Sequence, residues 1–169
     1  MKKIYWQFLF LFVSCTTTER KHSNLSPEER LAKWDSGIQY RVDTLPLDPD
    51  SEEAYDGGTE TSFYSVNGKL RKIKENVGLS WGNIVSTFYC QDDTLRGFSE
   101  AQEQFQVHGD TVDFSHLVNN YKGILIFQAD TVAAESHTGN QMVARDTRNY
   151  ADQILEEFRD HLLQFRRIR

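Results

Sequence analysis

One eight-residue pattern constrains this chain more than any other feature. It recurs four times without gaps: FYSVNGKL (63–70), FYCQDDTL (88–95), FQVHGDTV (105–112) and LIFQADTV (125–132). Position 1 is apolar, position 8 is Leu or Val, position 6 is Gly or Asp, and position 7 is Lys or Thr. A weaker fifth copy is IQYRVDTL (38–45). Asn67-Gly68 explains what the pattern is for, because both residues accept the positive φ of a tight type I′ hairpin turn. A two-residue turn at positions 5 and 6 of every copy pairs position 3 with position 8, and position 1 joins their face by alternation. That face reads Phe63/Ser65/Leu70, Phe88/Cys90/Leu95, Phe105/Val107/Val112 and Leu125/Phe127/Val132. It is expected to form the core, and the opposite, mixed face is expected to be wetter.

The copies start 25, 17 and 20 residues apart. Connections this short join antiparallel neighbours, so a meander of six to eight short strands is expected over about 60–138. The irregular spacing argues against a solenoid of fixed period. FYSVNGKLRKIKE is similar to the strands of MORN-like repeats, and the whole pattern resembles small exported bacterial lipoproteins built on such meanders, a resemblance that implies no activity.

Two helices flank the meander. Tyr150, Ile154, Phe158, Leu162 and Phe165, with Ala151 and Leu155 beside them, trace the apolar face of an amphipathic helix over about 147–168, capped by Asp146 or Thr147. Arg166, Arg167 and Arg169 suit its carboxyl end. At about 30 Å it covers a small sheet, so it is expected to pack on the apolar face. Nearer the start, Ser26, Pro27 and Glu29 form a helix-opening capping box, Leu31 and Trp34 share a face, and Gly37 ends the helix. The fold class expected is therefore α+β: one domain, 25–169, with a long C-terminal helix on an antiparallel meander.

The amino terminus is of another kind. Met1-Lys2-Lys3 precedes a ten-residue apolar run, Ile4 to Val13, interrupted only by Gln7. This is too short to span a bilayer but has the basic-then-apolar form of an export signal. Phe12-Val13-Ser14-Cys15 resembles a bacterial lipoprotein signal, with Phe12 where such signals usually carry Leu. The resemblance implies cleavage after residue 14, lipidation (diacylglyceryl and palmitate-type chains) of Cys15, and a chain held on the membrane through that anchor. Thr16, rather than Asp, after the cysteine leans towards the outer membrane. Residues 15–24 are polar and read as a spacer. With Cys15 acylated, Cys90 has no partner for an internal disulfide and is expected to be a buried free thiol.

Charge removes one class of partner. Without residues 1–14 the chain carries 17 Lys and Arg against 25 Asp and Glu, which repels phosphate backbones, so no nucleic-acid partner is expected. No phosphate loop, HExxH, GxSxG or CxxC occurs, and the five His show no i, i+4 pair, so no catalytic residue, metal or cofactor is assigned. The acidic run 48–58 departs from an EF-hand at Glu53 and Thr59 and reads as a loop. Glu135-Ser136-His137 is read as a turn at a strand end, since Ser136 and His137 would face apart in a strand. Tyr64, Trp81 and Tyr89 are the candidate binding surface, an aromatic patch on the second face. The function expected is a lipid-anchored, non-enzymatic envelope interaction module with a protein or glycan partner. The alternatives are a carrier of an apolar ligand held between sheet and helix, and an envelope hydrolase with titratable groups meeting in a cleft.

Overall fold

The computed structural model describes residues 25–46, 58–143 and 149–169. Cys15, the expected signal 1–14 and spacer 15–24, nearly all of the acidic run and the expected capping positions Asp146 and Thr147 lie outside the described residues. The elements in order are α1 (Pro27–Asp35), β1 (Arg41–Pro46), β2 (Thr59–Val66), β3 (Lys69–Leu79), β4 (Gly82–Gln91), β5 (Thr94–His108), β6 (Thr111–Gln128), β7 (Thr131–Gly139) and α2 (Tyr150–Arg167). The strands form one seven-stranded sheet in sequence order, each antiparallel to the next. The meander and its covering helix are as the repeat and the helical periodicity require.

The four turns fall at positions 5 and 6 of the four gapless copies. Position 3 pairs with position 8 in each: Ser65 with Leu70, Cys90 with Leu95, Val107 with Val112, Phe127 with Val132. Asn67 and Gly68 sit at φ 49° and 80°. Asp92-Asp93 (49° and 59°) and Ala129-Asp130 (49° and 61°) take the same left-handed conformation without glycine. The fifth copy is not a hairpin. Arg41 to Pro46 run straight through β1 against β2, because the β-branched Val42 at position 5 is ill-suited to positive φ.

Three hairpins insert one extra residue just after position 8. Tyr64 pairs with Lys72 and Ser65 with Leu70, leaving Arg71 as a bulge; Arg96 and Ala133 are left over in the same way. The bulge shifts the alternation along β5. Phe98, Glu100 and Gln102 continue the core side, so Phe105 and Val107 fall on the opposite side. The third copy therefore does not join the core: Val107 and Val112 are exposed. Val132, on the edge strand, is exposed as well.

The core lies between the sheet and α2. Phe63, Leu70, Ile73, Phe88, Cys90, Leu95, Phe98, Leu125 and Phe127 meet Ile154, Leu155, Phe158, Leu162 and Phe165. The rings interlock: Phe88 with Phe98 at 5.0 Å, Phe63 with Phe165 at 5.7 Å, Phe88 with Phe158 at 6.4 Å. Each such ring contributes about 2–3 kcal/mol by leaving water. α2 starts after Asn149, which makes no side-chain cap bond, three residues later than its sequence signals suggest. At its other end Arg166 pairs with Asp93 at 2.7 Å, and Arg169 donates to Gly68 O and to Ser65 Oγ, tying the helix to two turns. His161 on the same helix is buried against Phe63 and Phe88 and lies 3.6 Å from Glu75.

α1 covers part of the opposite face and makes a third layer. Its capping box is closed on both sides: Glu29 N donates to Ser26 Oγ and Ser26 N to Glu29 Oε2. Leu31 packs on Ile124 and Ile126, and Glu28 accepts from Ser136 Oγ. Ser136 and His137 lie within β7 rather than in a turn, and their pairing with Ile124 and Gly123 puts them on opposite faces.

Candidate functional site

The three aromatic residues proposed as one surface do not form one. Tyr64 and Tyr89 share the face under α1 and the segment that follows it, whereas Trp81 sits in the β3–β4 turn at the other end of the strands. Tyr64 meets Tyr40 edge to face at 5.6 Å, and Lys72 Nζ lies between them, 4.8 and 4.6 Å from the two ring centres. The same ammonium bonds both oxygens of Asp35, at 2.6 and 2.9 Å, and Tyr40 donates to Asp35 at 2.9 Å. Burial, with the Asp35 carboxylate beside it, pushes the Tyr40 phenol up. This cluster fastens α1 to the sheet, so Tyr64 is consumed in packing. Tyr89 packs against the small Leu31 cluster.

Beside it lies a small hollow of about 70 Å³, lined by Trp34, Ile38, Tyr40, Arg71, Tyr89, Cys90, Gln91 and Arg96. Cys90 is a free, buried thiol, as expected for a cysteine at position 3 of the repeat. Burial and nearby Asp93 push it up to about 12. A thiol so held is a small apolar group, not a nucleophile.

On the α2 side, a wider cleft of about 430 Å³ opens towards the β3–β4 turn. Its lining mixes Val77, Leu79, Trp81 and Ile84 with Ser86, Gln102 and the acids Glu75, Glu100 and Glu157. Gln102 is buried and fully engaged. Its Nε2 donates to Glu100 Oε1 and Val143 O, and its Oε1 accepts from Met142 N and Val143 N. It pins the chain that leads towards α2. The lining of this cleft is mixed, and the interface between sheet and α2 is filled by the core side chains. Among the described residues no group of three or more His, Cys, Asp and Glu has the arrangement of a metal site.

The feature hidden from sequence reasoning is an arm. β4 ends its pairing with β5 at Gly82–Gln104, and β7 ends its pairing with β6 at Gly139–Tyr121. Past a last bond from Phe105 N to Trp81 O at 3.0 Å, the β5–β6 hairpin continues alone, by about 10 Å on the β5 side. It carries Val107 (53% exposed), Val112 (40%), Phe114 (70%), Leu117 (40%) and Val118 (47%). Phe114 leans on Phe105, ring centres 5.1 Å apart. Phe114, Ser115 and His116 form a wide bulge, since Phe105 pairs with Leu117 and Gln106 with Asp113. Asp113 closes that bulge: Oδ1 accepts from Ser115 N at 2.9 Å and from Ser115 Oγ at 2.5 Å, and Oδ2 lies 2.7 Å from His116 Nδ1. These bonds hold the Asp113 carboxyl down at about 2, led by the Ser115 hydroxyl. Asp, Ser and His together invite a hydrolytic reading, but one nitrogen, His116 Nδ1, faces both Ser115 and Asp113. A triad needs the imidazole to hold the acid with one nitrogen and take the serine proton with the other. The trio is a turn lock.

Comparison with protein-family models, with curated proteins and with solved structures gave no match to this chain.

Proposed function

We propose that the chain is a lipid-anchored protein of the bacterial envelope, in the outer membrane, and that it acts without catalysis as an interaction module whose contact element is the β5–β6 arm. The single observation that carries the reading is the cluster of exposed apolar side chains on that arm. Scattered surface hydrophobics are ordinary; five on one projecting hairpin are a recognition surface. The arm also has a charge character. From Phe105 to Asn120 there is no Lys or Arg, while Asp110 and Asp113 are present. The partner that fits is a protein presenting an apolar patch rimmed by Lys or Arg. A second copy of this acidic arm and an anionic lipid surface are both opposed by like charge.

The anchor and the arm are tested separately. Wild type is expected in the membrane fraction with a lipid mass on Cys15, and Cys15→Ala in the soluble fraction; wild type without lipid mass refutes the anchor. A variant combining Val107→Thr, Val112→Thr, Phe114→Ser and Leu117→Ser is expected to melt within a few degrees of wild type yet lose chemical crosslinks to its partner. An unchanged crosslink pattern refutes the arm.

A further inference from the structure

The hollow under α1 has features that neither packing nor the arm explains. Arg71 and Arg96 are the bulged residues of two neighbouring hairpins, at the same place in the repeat. Each bulge turns two consecutive residues towards the α1 side of the sheet, Arg71 with Lys72 and Arg96 with Gly97. Lys72 goes to Asp35, and Gly97 makes room for α1. Arg71 and Arg96 both line one small cavity, half-buried. Neither makes a hydrogen bond or ion pair with any described residue, although the chain carries six more negative than positive charges. Elsewhere on the surface Arg41 and Arg166 have found carboxylates. Two arginines lining one hollow of an acidic protein, with no carboxylate partner among the described residues, call for an anion.

The geometry points to this hollow as a binding site for an oxyanion, a carboxylate or phosphate, carried on a flat apolar group. Arg71 and Arg96 hold the oxyanion through their planar forks. Among the lining side chains Trp34, partly exposed, offers an aromatic face to the flat group, and Gln91 a neutral hydrogen-bonding group. The volume suits the headgroup: about 70 Å³ is roughly two waters' worth of space. α1 forms one wall through Trp34, so the ligand also ties α1 to the sheet.

The test uses the full chain in mild detergent, titrated by calorimetry with phenyl phosphate, benzoate and uncharged benzyl alcohol. The two anions are expected to bind one to one and compete with each other, and the alcohol to give no heat. Arg71→Gln and Arg96→Gln are each expected to weaken binding by about tenfold or more. Arg159→Gln, on the exposed side of α2, is expected to bind as wild type. No saturable binding of either anion, or an equal loss in Arg159→Gln, overturns the site. If a glutamine variant fails to fold, Arg71→Lys and Arg96→Lys decide: the charge stays and the fork goes, so weakened binding supports the site and wild-type binding overturns it. Vesicles containing phosphatidic acid separate two sources of the same chemistry. Competition with phenyl phosphate assigns a lipid headgroup, and its absence a soluble anion; both outcomes support the site.

Discussion

Gly97 has no room for a methyl group. A Cβ there would stand 2.5 Å from Leu31 Cδ2 and 2.8 Å from the Trp34 ring. Gly97→Ala must lift α1, and it is expected to cost about 1–3 kcal/mol in urea unfolding. Two side chains give pH signatures. The Cys90 thiol is raised to about 12 from an ordinary value of 9.0, so the fold favours its neutral form. Its contribution is complete below pH 9 and is lost as pH rises from 9 towards 12; at pH 8 the native protein is expected to resist a thiol reagent that the unfolded chain consumes. Asp113 is shifted the other way, from 3.8 to about 2. The lock it makes is complete above pH 4 and is lost as pH falls from 4 towards 2. The amide signals of Ser115 and His116 should follow that titration, and in Asp113→Ala they should not titrate there. At this scale sequence reading succeeded with Cys90, whose position in the repeat places it against Phe88 and Leu95. It missed His161, which continues the 4-and-3 spacing of Ile154, Phe158 and Phe165; a polar letter hid an apolar position.

At the scale of elements the turns were the legible part. A period-2 pattern broken by two turn residues defines both where a strand reverses and which residues pair. What it does not contain is the bulge. One inserted residue at Arg96 reverses the faces of everything later in β5, and nothing in the letters marks it. That is why Phe105, Val107 and Val112 stand outside the core that their pattern assigns them. The same logic denies Val42-Asp43 a turn. Ala129-Asp130 is a turn formed against residue preference, with both φ positive. Ala129→Asn with Asp130→Gly should relieve about 1–2 kcal/mol of left-handed strain. The melting temperature should rise by about 2–4 °C for each kcal/mol gained. In α2, Phe158→Ala removes a ring stacked on Phe88 and should cost about 3–5 kcal/mol in the same assay.

At the scale of the whole molecule the chain is a sheet with a helix on each face and one hairpin longer than its neighbours need. The strand count and the covering helix follow from periodicity. The arm does not, because the length of a strand beyond its partners is a relation between elements, and no single element's sequence states it. Candidate surface residues picked by aromatic character fell on packing positions for this reason: Tyr64 and Tyr89 are large enough to fasten α1, and they do. On the arm, Phe114 leans only on Phe105 and is the most exposed large apolar side chain among the described residues. The measurement that bears most directly on that reading is site-specific photo-crosslinking in intact cells, with the reactive side chain placed at Phe114 or, as a reference, at Leu163 on the outward side of α2, itself 49% exposed. The expected result is one discrete adduct from position 114 and none from position 163. No adduct at 114, or the same adducts from both positions, would contradict it.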